Sequence, residues 1–189
     1  MWPWEHAAVG YLACSVFVHL FYRRSPSGRE ALLVVAASLV PDLIDKPLGW
    51  EFHVFSSGYG VAHSVFFAAP LAVGVVSLAR RYERTSLGVA FGIGYVSHLP
   101  GDLLVSYLYT GDLQLARVLW PLRSVETAYS EGFTGTLQEY LVEYLRAIAA
   151  GELSAAALVG LGALGVCLLV WLLDGAPGVR EGLAALTPR

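Results

Sequence analysis

Ser86–Leu108 reads SLGVAFGIGYVSHLPGDLLVSYL. It matches the roughly 20 apolar residues that a helix needs to cross a hydrocarbon core. Within it, His98-Leu99-Pro100-Gly101-Asp102 sets an imidazole and a carboxylate four residues apart, on one face of a helix. Ionisable groups inside an apolar helix are costly, and where they occur they mark function.

Similar apolar blocks lie on both sides of this stretch. Residues 6–22 form a first block, closed by the Arg-bearing loop 23–29. A second runs from Glu30 through LLVVAASLV into Pro41-Asp42-Leu43-Ile44-Asp45. Residues 46–60 read as a loop, 61–79 as a third block closed by Arg80, Arg81 and Arg84, and 154–173 as the last. Residues 136–149, TLQEYLVEYLRAIA, carry Glu139, Glu143 and Arg146 at a spacing that suits an amphipathic helix at an interface. The expected fold is all-α: a polytopic transmembrane bundle of about five spans plus that interfacial helix. Residues 1–175 make a single domain and 176–189 a short tail.

Composition agrees with this reading. The chain is 56% hydrophobic and 14% charged, with a mean hydropathy of +0.59, whereas soluble domains carry about 25% charged residues. The net charge of -3 points to no nucleic-acid partner. Cys14 and Cys167 sit apart in apolar blocks and form no CxxC site. The first block lacks a basic lead-in and a small-residue cleavage pattern, so it reads as a retained span rather than a signal peptide. The positive-inside rule assigns the Arg loops to the cytoplasm. The N-terminus is then outside and the C-terminus inside, in a multi-pass plasma-membrane protein in contact with the lipid bilayer.

Counting from the Arg loops at about 1.5 Å per residue places Asp42 and His98 roughly 18–20 Å from the cytoplasmic interface. Asp45 and Asp102 follow one turn later, and His63 and His6 come out roughly 25 Å up. Six residues, His6, Asp42, Asp45, His63, His98 and Asp102, thus share one layer towards the extracytoplasmic face. Imidazole and carboxylate together suit zinc, and also manganese or iron, as one ion or two. A metal-held water attacks esters and phosphoesters at neutral pH. The blander readings are a hydrogen-bonded interfacial His6, a capping Asp42 and a proton-relay pair at His98 and Asp102. His19, near the other end of the first block, reads as structural, and His53 as a loop residue on the cluster's side. Ser64 reads as a helper of His63 or a packing residue.

The ordered set His6, Pro41-Asp42-Leu43-Ile44-Asp45, Ala62-His63-Ser64, His98-Leu99-Pro100-Gly101-Asp102 and Trp120-Pro121-Leu122 resembles the YdjM-like family. Its members are described as LexA-binding, inner-membrane-associated, membrane-bound metal-dependent hydrolases, and PDLIDKPLGW resembles its haloarchaeal branch. The resemblance covers about residues 1–125. It implies a divalent metal, zinc above all, held by His6, Asp42, Asp45, His63, His98 and Asp102. The chain departs from the pattern at Tyr59-Gly60-Val61-Ala62-His63-Ser64, where the family has an Arg ahead of the Gly. Pro100 also stands between the two candidate ligands of the fourth block.

The expected function is therefore metal-dependent hydrolysis of a lipid, phosphoester or other small membrane-proximal substrate. Asp45 and Asp102 are the catalytic candidates, with Arg123 and Glu126 at the substrate entrance. A transporter for a metal ion or proton would use the same side chains but needs a polar path to the other face, and the inner halves offer only His19. A non-catalytic scaffold stapled by a metal would show a saturated site.

Overall fold

The computed structural model describes residues 1–127 and 132–179. Among these are six α-helices and no strand: α1 Pro3–Phe17, α2 Gly28–Trp50, α3 Val65–Arg81, α4 Thr85–Thr110, α5 Gly132–Ala150 and α6 Ala155–Leu173. α1 continues as a π-helix over Val18–Tyr22, and Leu115–Arg117 forms a 3₁₀ turn. Of the tail expected over 176–189, residues 180–189 lie outside the described residues.

The all-helical expectation holds, but the five spans do not. Among the described residues, only Ala155–Leu173 is long and apolar enough to cross a membrane. α1, with 15 residues before its π-helical continuation, and α3, with 17, are shorter than the roughly 20 residues of a typical span. α2 is broken in character by Asp42, Asp45 and Lys46. α4 has 26 residues, but its glycines and serines, with His98 and Asp102, dilute its apolar character. The multi-pass topology, N-terminus out and C-terminus in, falls with the span count, because sides alternate only across successive spans. The assignment of the site to the extracytoplasmic face falls for the same reason. α6 buries only Ala156, Ala157 and Gly160 among its residues. Residues 136–149 lie within α5, where Glu139, Glu143 and Arg146 are exposed and Thr136 is buried.

α4 is the centre of the bundle and packs against α1, α2, α3 and α6. Its closest approach is to α2 at Gly94, where a Cβ would lie 2.4 Å from the Val34 carbonyl oxygen. That approach brings the second half of α2 alongside His98. α2 begins on a capping box, with Ser27 accepting from Glu30 N and Glu30 accepting from Ser27 N. Arg24 clamps the same Glu30 with contacts of 2.6 and 2.7 Å.

The end of α2 differs from expectation. The sequence predicts a loop over 46–60, yet the helix passes through Pro41 and Pro47 to Trp50. A proline inside a helix costs about 3 kcal/mol. Tertiary contacts oppose that cost here: Asp42, Asp45, Gly49 and Trp50 are all buried, and Asp45 collects hydrogen bonds from the loop ahead of α3.

Candidate metal centre

Four side chains each turn one atom towards a common point: His63 Nε2, His98 Nε2, Asp42 Oδ1 and Asp102 Oδ2. The two nitrogens are 3.0 Å apart. Asp42 Oδ1 lies 3.3 Å from His63 Nε2 and 3.5 Å from His98 Nε2. Asp102 Oδ2 is 3.5 Å from each of the two nitrogens. All four residues are buried, and their ligand atoms lie within 4.8 Å of one another.

The outer atom of each side chain is tied down. His63 Nδ1 meets Asp45 Oδ2 at 2.9 Å, and His98 Nδ1 meets the Ser38 carbonyl at 2.7 Å. Both partners are acceptors, so each Nδ1 carries a proton, and in the neutral ring each Nε2 turns a lone pair inward. Lys46 Nζ donates to Asp42 Oδ2 at 2.6 Å, and the Met1 amine donates to Asp102 Oδ1 at 2.8 Å. The inner oxygens, Asp42 Oδ1 and Asp102 Oδ2, are buried with no hydrogen-bond donor. Four acceptors thus converge without a hydrogen between them. Such an array repels itself unless a cation or extra protons fill it. A four-coordinate ion with bonds of about 2.0–2.1 Å sets its ligands about 3.3–3.4 Å apart. The separations involving the two imidazole nitrogens, 3.0–3.5 Å, fit a small divalent cation on that measure.

Each ligand reaches the point by a different local device. Asp42 follows Pro41 in α2. His98 and Asp102 share one face of α4, which stays helical through Pro100. His63 lies on the loop before α3, and that loop is pinned from three directions. Asp45 accepts from the backbone N–H groups of Gly60, Ala62 and His63 at 2.8, 3.1 and 2.9 Å. Tyr95 donates to the Ala62 carbonyl at 2.8 Å. Ser64, the N-cap of α3, donates to the carbonyl of Trp120, while Val65 N donates to Val118 O at 2.9 Å. The Trp120-Pro121 segment thereby backs the His63 loop.

His6 stands beside the four atoms. Its ring stacks on that of His98 at 3.6 Å. Its Nε2 lies 3.2 Å from Asp102 Oδ1 and 4.0 Å from Asp42 Oδ2. Both ring nitrogens are buried without a hydrogen-bond partner. Burial, against the opposing pull of Asp102, lowers His6 to about 4, so its imidazole is neutral. Burial also disfavours a charged His63, but Asp102, Asp42 and Asp45 outweigh it and raise His63 to about 10. For Asp42, burial pushes upward, and the charge of Lys46 leads the contacts that hold the carboxyl well below the usual range.

Asp45 is fully buried behind His63 and points away from the four-atom centre, its oxygens engaged by three backbone N–H groups and the imidazole. Arg123, Glu126 and His53 are exposed. His19 pairs instead with Asp174, at 3.3 Å. Lys46 is the neighbour that sequence reading passed over. It sits one turn after Asp42, a spacing that identifies it once α2 is known to continue past Asp45.

A family model described as "YdjM inner membrane protein" matches residues 1–176. The chain belongs to that family. No curated protein and no solved structure matches it. The YdjM match runs well beyond the 1–125 that carry the sequence motifs and takes in α5 and nearly all the described part of the chain, α6 included. Tyr59, the residue ahead of Gly60, is held by an arginine from the segment after α4. Arg117 places its guanidinium 4.7 Å from the Tyr59 ring and donates to the Tyr59 hydroxyl at 2.8 Å. The Tyr59 ring in turn lies edge-on to His63 at 5.0 Å.

Proposed function

We propose that this chain is a membrane-associated metal-dependent hydrolase whose centre is Asp42, His63, His98 and Asp102. One observation carries the reading. Four buried acceptor atoms, each with its outer neighbour tied down, sit at the mutual spacing of ligands around one small divalent ion. Two imidazoles and two carboxylates favour zinc, with manganese or iron as the alternatives. The description of the family and the apolar α6 support the membrane part.

An ion bound here supplies Lewis acidity and lowers the pKa of a water that it holds. The chain's own groups do the rest. Asp45 and the Ser38 carbonyl keep His63 and His98 in the tautomer that offers Nε2. His6, neutral beside the four atoms and with Nε2 3.2 Å from Asp102 Oδ1, is the spare base for the proton of the attacking water. Asp102 Oδ1 holds the resulting imidazolium in place. A purely structural staple has no use for a spare imidazole beside its ligands, and this favours an enzyme over a scaffold.

The test is the metal content of the purified full chain, followed by turnover of a panel of phosphomonoester, phosphodiester and carboxylic-ester substrates. Wild type should hold about one zinc per chain. His6→Ala should keep that zinc and lose turnover by about 100-fold or more, the usual contribution of a general base. A chain that takes up no divalent ion, or a His6→Ala variant with undiminished turnover, sinks the reading.

A further inference from the structure

The four ligand atoms are closed off on nearly every side. The side chains of His6, His63 and His98 are 0% exposed and that of Asp102 is 3% exposed. Exposure rises only at Asp42, to 8%, and at Lys46, to 19%. The Asp42–Lys46 edge is the least buried side of the centre. The lysine is fixed there along its length. Its stem runs beside Gly58, where a Cβ would come within 3.1 Å of Lys46 Cγ, and its ammonium lies 5.5 Å from the Trp50 ring.

One of the three ammonium N–H bonds is spent on Asp42 Oδ2 at 2.6 Å. Asp42 turns its other oxygen to the centre, so the ammonium sits one carboxylate away from the reacting position. With a divalent ion between Asp42 and Asp102, their two negative charges are matched by the ion. The charge of Asp45 is spread over four N–H donors on the far side of His63. Lys46 is then a cation with donors to spare at the mouth of the centre. A neutral acceptor would gain only a hydrogen bond from such an edge, whereas an oxyanion would gain the hydrogen bond and the attraction of opposite charges.

We infer that Lys46 is the substrate-anion residue of this site and that the substrate presents a phosphoryl group, one oxygen of which binds Lys46 Nζ while the ester faces the centre. This rests on the metal-dependent reading above and adds the class of substrate to it. The competing account is that Lys46 only neutralises Asp42.

The two accounts separate on phosphate binding. The zinc-loaded full chain is titrated with inorganic phosphate by calorimetry, alongside Lys46→Gln and Lys46→Arg, with zinc content measured in each. Lys46→Gln should weaken phosphate by about tenfold or more, the usual loss for a hydrogen bond to a charged group. Zinc is supplied in excess and its occupancy matched across the variants, because Lys46 also holds the outer oxygen of Asp42. Lys46→Arg should keep most of the phosphate affinity. In wild type, phosphate should also protect Lys46 from an amine-acylating reagent, read by peptide mass spectrometry, which needs no variant to fold. Phosphate that binds Lys46→Gln as it binds wild type, or that leaves Lys46 unprotected, overturns the inference while zinc binding stands. Wild type without zinc overturns the parent reading and this one together.

Discussion

α1 carries a polar cluster at each end, and the two are built on opposite principles. At its C-terminal end, Asp174 accepts hydrogen bonds from Tyr11 and Ser15, both at 2.7 Å, and faces His19 at 3.3 Å. Donors and acceptors are matched, and the cluster ties the end of α6 to α1. At its N-terminal end, His6 joins Asp42, His63, His98 and Asp102, where acceptors face acceptors and several atoms have no donor. A matched buried cluster explains itself as a tether. A mismatched one of the same residue types needs something more to complete it. Ionisable residues in apolar helices are thus only a first signal, and the count of donors against acceptors decides between structure and site.

Substitutions should separate the two ends. The largest effect is expected for Asp102→Ala. It removes an inner oxygen, and zinc affinity should fall by more than about 100-fold, beyond the 10–100-fold typical of an outer partner. Equilibrium dialysis against a chelator of known affinity measures it. Asp45→Asn comes next. It touches none of the four inner atoms but releases His63 Nδ1, and a loss of about 10–100-fold in zinc affinity should follow. Unchanged affinity would show that the backbone alone orients His63.

The third expectation concerns pH. Without metal, the folded-state pKa of His63 is raised from 6.5 to about 10. The protonated ring therefore stabilises the metal-free fold fully below about pH 6.5, and this contribution is lost as pH rises through about 10. Zinc must displace that proton. Its affinity should rise about tenfold per pH unit for each proton displaced between those limits. Titrations at pH 7 and pH 8 give the slope, and a flat response would mean that no imidazole proton is released.

The smallest effect on the metal is expected at the other end of α1. Asp174→Ala leaves the Tyr11 and Ser15 hydroxyls without their acceptor and should lower stability by about 1–3 kcal/mol. Zinc content should not change. Thermal unfolding alongside metal analysis tests both halves of that statement, and zinc loss in Asp174→Ala would mean that the two ends of α1 are coupled.

The residues of the centre stood out in the sequence because each is an ionisable group in an apolar neighbourhood. Counting along helices placed Asp42, His98 and Asp102 at one level without any knowledge of packing. Asp45 carried the same signal and is drawn away from the four atoms, because a carboxylate three residues after Asp42 can turn to the loop that precedes α3. Nothing local distinguishes the two aspartates; the N–H groups of Gly60, Ala62 and His63 do. Lys46 was hidden by Pro47, since a proline normally closes a helix and here does not. The span count went astray for a related reason. Length alone makes each apolar block a match for a crossing helix, while its polar residues count against it. In α2 and α4 those polar residues and the small ones that let the helices approach make up much of the segment. Among the described residues, only α6, which carries no charged side chain, keeps the composition of a membrane-crossing helix.

The centre draws its atoms from α2, the loop ahead of α3, and α4, while α6 and α5 contribute none. Filling it would cross-link the middle of the chain and leave the C-terminal helices to their own contacts. Backbone amides of Ser38–Asp45 and Tyr95–Asp102 would then exchange with solvent much more slowly in the loaded protein, while those of α5 would exchange as before. The four converging atoms would act as a clasp that divides one bundle into a locked half and a freer half.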